Sequence, residues 1–138
     1  MLVQETIQPL LRYFSAGVTQ DANTPVVSIA NAQAVRIVAH TGAVAGSATL
    51  RVFVNNVNDI TGSVQIPSKA VSLAANSTYE IFVSGAEAYA AIARAAFLYV
   101  QIDVVENSSP SVQIAIEISA FPGRSVPASL PANWTRVL

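Results

Sequence analysis

Alternation of apolar and polar positions dominates the chain. Residues 48–55 put Leu50, Val52 and Val54 on one face and Arg51, Phe53 and Asn55 on the other. Residues 33–40 do the same, with Val35, Ile37 and Ala39 opposite Arg36 and Val38. Toward the C-terminus, Leu98, Val100, Ile102 and Val104 oppose Tyr99, Gln101 and Asp103, and Val112, Ile114, Ile116 and Ile118 oppose Gln113 and Glu117. A period of two is the signature of a strand with one face buried. The β-branched residues filling these positions suit a pleated surface. Shorter runs at 25–30, 63–66, 70–74 and 78–83 bring the expected strands to about eight.

The separators are turn chemistry: Thr41-Gly42, Gly46-Ser47, the Asn55–Asp59 cluster, Asn76-Ser77 and Asn107-Ser-Ser-Pro110. We read Gly42 to Gly46 as a turn between strands; with no Lys-Ser/Thr after it, it does not fit a phosphate loop. Strands separated by polar turns, without interspersed crossover helices, predict an all-β fold. It is an antiparallel β-sandwich or jelly roll of about eight strands. One segment breaks the alternation. Ser84-Gly-Ala-Glu87 matches a capping box, and the alanine-rich stretch 86–96 predicts one short helix.

Both ends read as extended arms. Residues 1–9 alternate weakly and stop at Pro9, giving an N-terminal arm before a sandwich domain over 10–121. Residues 122–138 hold Pro122, Pro127 and Pro131, which exclude a central strand. The tail nonetheless carries Val126, Leu130, Trp134, Val137 and Leu138, too apolar for a free polar tail. The expectation is a tail docked on its own sandwich or on a neighbour.

Composition then changes the picture. Only 11% of the 138 residues are charged, 7 basic and 8 acidic, under half the roughly 25% of an ordinary domain. Spread over the roughly 6,800 Å² expected of a monomer this size, that is about one charge per 450 Å². So thin a coat implies surface covered by copies of the chain or by a partner. Charge is scarcest over 88–101, where Arg94 stands alone, and in the tail, with Arg124 and Arg136. Outward apolar residues mark the expected contact surfaces: Phe53, Phe97 and Tyr99 on strands, and Val126, Leu130 and Trp134 in the tail. Interface cores are enriched in aromatics and depleted of charge.

Candidate chemistry is sparse. No cysteine is present, which excludes disulfides and thiolate metal sites, and the single histidine, His40, cannot build a multi-His zinc site. His40 lacks a recognisable nucleophile motif and reads as structural. Glu80, Asp103, Glu106 and Glu117 could supply paired carboxylates for glycoside hydrolysis. Solvated strand faces explain them better, with Asp103 and Glu117 free to pair with Arg36 or Arg51. Asn55, Asn56, Asn58 and Asp59 could offer oxygens to Ca²⁺, but an Asn-rich turn accounts for them. Scattered basic residues and a net charge of −1 argue against nucleic acid. No stretch is long and apolar enough to span a membrane, and no signal peptide opens the chain. We assign no catalytic, cofactor or metal residue.

The strands Tyr79-Glu-Ile-Phe-Val83, Ala95-Ala-Phe-Leu-Tyr-Val-Gln-Ile-Asp-Val104 and Ser111-Val-Gln-Ile-Ala-Ile-Glu-Ile-Ser-Ala120 resemble, in cadence, those of small bacteriophage virion β-proteins such as capsid decoration (cement) proteins, head fibres and tail accessory domains. The resemblance covers about residues 50–121. It implies a non-enzymatic structural role on the virion after synthesis in the host cytoplasm. The implied partners are other copies of the chain, as a trimer, and the major capsid protein. A glycan- or receptor-binding module of a tail, fibre or cell surface is the alternative expectation.

Overall fold

A computed structural model describes residues 8–30, 32–121 and 134–138, without the side chains of Gln8, Phe121 and Trp134. Its strands are β1 (Gln8–Val18), β2 (Ala22–Asn23), β3 (Val27–Ser28), β4 (Ala34–Ala45), β5 (Ala48–Asn55), β6 (Val64–Gln65), β7 (Val71–Ser72), β8 (Thr78–Ser84), β9 (Phe97–Val104), β10 (Ser111–Phe121) and β11 (Trp134–Val137). The helix α1 (Gly85–Ala91) joins β8 toward β9. The protein is thus mostly β, with two sheets and one short α-helix. The first sheet has the order β1-β10-β4-β8-β11. The second has β2-β9-β5-β6, with β3 also on β9 and β7 also on β5.

The alternation places the core where the sequence predicts. Val35, Ile37 and Ala39 of β4, Ile81 and Val83 of β8 and Val112 to Ile118 at every second position of β10 form one inner face. Leu50, Val52 and Val54 of β5 and Leu98 to Val104 at alternate positions of β9 form the other. Most of these are 0–2% exposed, and each such side chain contributes about 1.5–3 kcal/mol of burial.

Several expectations change. Residues 10–18, for which no strand was expected, belong to β1, an 11-residue strand on β10. Irregularities between Pro9 and Leu11 and between Ser15 and Val18 interrupt its alternation, which hid the strand. Gly42 is not in a turn, because β4 continues to Ala45, where it faces Ser111 of β10. The Gln113 side chain lies over Gly42 and accepts from the Ala43 amide, so a side chain at 42 would displace its flexible end. The reversal is at Gly46, whose φ of +75° suits glycine.

The capping box forms as expected: the Glu87 amide donates to Ser84 Oγ at 3.1 Å, and the Ser84 amide donates to Glu87 Oε1 at 3.1 Å. The helix stops at Ala91, well short of Ala96. Ile92 is extended, Arg94 turns left-handed at φ +57°, and the Ala96 amide is claimed by the Asn55 carbonyl of the second sheet. In the tail, β11 pairs parallel with β8, Trp134 opposite Thr78 and Val137 opposite Ile81. That parallel pair departs from the purely antiparallel expectation.

Candidate interaction surfaces

Register turns the outer face of the first sheet into rows of side chains. One row runs Phe14, Ala115, His40 and Thr78 across β1, β10, β4 and β8. The next runs Arg12, Glu117, Val38, Glu80 and Arg136 and ends on β11. A third carries Ser119, Arg36 and Phe82. Side chains in one row sit about 4.5–5.5 Å apart and interact directly.

This face changes character from edge to centre. Val38, Phe82 and Ser119, although directed away from the core, are 7%, 8% and 5% exposed, and Glu80 is 0% exposed. Toward β1 it opens. Alanine at 115 leaves a dip between its larger row neighbours, and a cleft of about 270 Å³ forms there, lined among others by Arg12, Phe14, His40 and Glu117. Phe14 is 66% exposed, a large ring at the sheet border.

Charges are absorbed in structural pairs. The Glu80 carboxylate receives Arg36 Nε at 2.7 Å on Oε2 and Arg136 Nε at 3.0 Å on Oε1. A carboxylate so buried needs such partners, because one left alone would cost several kcal/mol. Lys69, fully buried in the one-turn 3₁₀ segment Pro67–Lys69, meets Glu87 at 2.8 Å. Burial alone would raise the Glu87 carboxyl, but the Lys69 ammonium and the Ser84 amide and hydroxyl outweigh it and hold the group below the usual carboxylate range. On the second sheet Arg51 Nε reaches Asp103 at 2.8 Å.

The expected contact residues scatter among three situations. Phe53 and Tyr99 come together on the outer face of the second sheet, directly opposite in register. Their rings stack with centroids 5.1 Å apart and planes within 4°. The Tyr99 hydroxyl is 2.7 Å from Ser63 Oγ, and Tyr99 is only 5% exposed. Phe97, half-buried, lies on the same strand face opposite Asn55. Val126 and Leu130 lie outside the described residues, and of Trp134 only the backbone, in β11, is described.

Other candidate chemistry resolves into architecture. His40 Nδ1 is 2.9 Å from Thr78 Oγ1 across the β4–β8 pair. Asn55 donates its amide to the carbonyls of Asp59 and Thr61, closing the Asn-rich turn on itself. Among the described residues no group of three or more His, Cys, Asp or Glu side chains is arranged to hold a metal ion. Nor is any helix there long and apolar enough to cross a membrane. The exposed rings of Phe14 and of Tyr89, the latter 62% exposed on α1, were not among the expected contact residues. Recognising β1 from its bulges would have put Phe14 on an outer face. No protein-family model, curated protein or solved structure matches the chain.

Proposed function

We propose that the chain is a non-enzymatic structural protein of a phage virion, decorating or cementing the capsid surface as a homo-oligomer. The observation that carries this reading is strand order. Counting β2 with β3 and β6 with β7 as one strand each leaves eight before β11. The sheets then read 1-8-3-6 and 2-7-4-5, the order of a jelly roll, an architecture built from two Greek keys and used by viral capsid domains. The low charge supports a surface covered in the assembly.

Jelly rolls also serve as lectin domains, and a glycan- or receptor-binding module is the second reading, favoured by the exposed rings of Phe14 and Tyr89. The stack of Phe53 on Tyr99 weighs against it, since each ring turns a face to the other. Quantitative mass spectrometry of purified particles tests the primary reading. Peptides of this chain should copurify with the major capsid protein in a fixed ratio, and their absence from particles would overturn it.

A further inference from the structure

We infer that the border strand β1 is an interface between two copies of this chain, paired antiparallel about a two-fold axis at Tyr13. The inference rests on the homo-oligomeric part of the proposal above and names its surface. Among the described residues no strand pairs with the far side of β1, and an edge of this kind presents a row of backbone donors and acceptors. The other edges are handled differently. The second sheet ends in two-residue strands and the first sheet's opposite border in the four-residue β11, and short edges offer little to pair with. β1 alone among them is long, and it carries the exposed ring of Phe14.

Symmetry restricts the register. Directly opposed residues on paired strands point to the same face, and a two-fold axis normal to the sheet preserves that face. Neighbouring residues alternate in face, so one residue must oppose its own copy. The regular stretch of β1 is Leu11 to Ser15, bracketed by irregularities at both ends, and its centre is Tyr13. With the axis there, Leu11 faces Ser15 and Arg12 faces Phe14 of the second copy, twice over. Each guanidinium then covers an otherwise exposed ring while remaining in its own row beside Glu117. An axis at Arg12 would oppose two like charges, and one at Phe14 would leave Arg12 facing Ala16. The result is a continuous ten-stranded sheet and a dimer, where the resemblance in the sequence implied a trimer.

The absence of native cysteine makes a disulfide trap clean. A self-facing residue holds its Cα atoms about 4.5–5.5 Å from its copy, within the range a disulfide spans. Under mild oxidation Tyr13→Cys should run mostly as a covalent dimer, while Val57→Cys on an exposed turn should stay largely monomeric. Because Tyr13 is half-buried, a second arm uses exposed positions. Mixing Arg12→Cys with Phe14→Cys should give several-fold more mixed dimer than either gives alone, and light scattering of the unaltered chain should report a dimer. A monomer or trimer by scattering, or no preference for the mixed dimer, would overturn the interface. Cross-linking that peaks at Phe14→Cys would overturn the register. A chain found in particles but never cross-linked removes this interface and leaves the virion reading. Cross-linking by a chain absent from particles does the reverse.

Discussion

The five-stranded sheet runs to one border in the 11-residue β1, whereas the six-stranded sheet breaks up at both of its borders into two-residue strands. Their outer faces differ as well. The first carries a buried carboxylate between two guanidiniums; the second carries an aromatic stack and a half-exposed ion pair. Short, interrupted edges terminate pairing, while the regular stretch Leu11–Ser15 of β1 leaves room for it. One domain thus contains a sheet with short borders and, in the inference above, an extensible one. The outer face of the extensible sheet is braced by charge, that of the other by contact between rings.

The sharpest way to break that contrast is to remove one acid from each face. Glu80→Ala leaves Arg36 and Arg136 without their shared carboxylate and should cost about 3–5 kcal/mol. Asp103→Ala, which opens a pair about one-third exposed on both sides, should cost under about 1 kcal/mol. Urea unfolding of the two variants side by side measures both, and equal losses would erase the distinction. A smaller effect is expected from the rings. A double-mutant cycle on Phe53→Ala and Tyr99→Phe, then Tyr99→Ala, should assign about 0.5–1.5 kcal/mol of coupling to the stack and little to the hydroxyl.

An effect read through pH belongs to the corner where Lys69 meets Glu87. The Glu87 carboxyl is depressed in the folded state, so its stabilisation is complete above the ordinary value of 4.5 and fades as pH falls through the folded value. Glu87→Gln should therefore be less stable than the parent at pH 7, because it leaves the fully buried Lys69 ammonium without its carboxylate. The gap should close as pH drops below about 4.5. A gap that widens in acid would contradict the assignment.

Local rules made much of this fold legible. β5 and β10 begin and end where their alternation does, and the helix start was written in Ser84 and Glu87. Each is decided by residues close in sequence. What was illegible depended on distance or on broken periodicity. Arg36 and Glu80 are 44 residues apart and Glu80 and Arg136 are 56 apart, so no local pattern announces that they meet. Asp103 and Glu117 were expected to pair with Arg36 or Arg51; Arg51 does take Asp103, while Arg36 pairs with Glu80 and Glu117 faces Arg12 and Val38. β1 was concealed by its irregularities, and the helix was overextended because alanine spacing cannot register a backbone bond from Ala96 to Asn55. Phe53 and Tyr99 were each legible as outward residues of their own strands, but only the β5–β9 register brings them together.

The pairing of β1 with β10 sets Gln8 opposite Ala120, almost the two limits of the sandwich. A ribosome must therefore deliver nearly all of the sandwich before the first sheet can close. The neighbours of β10, β1 and β4, wait meanwhile with unsatisfied edges. Such a protein cannot mature piecemeal during synthesis; it collapses late and as a unit, with the slow, non-local kinetics typical of β-sandwiches. The interval before β10 emerges is the moment of greatest vulnerability to wrong pairing, and truncated chains ending short of β10 should accumulate as aggregates rather than as stable fragments.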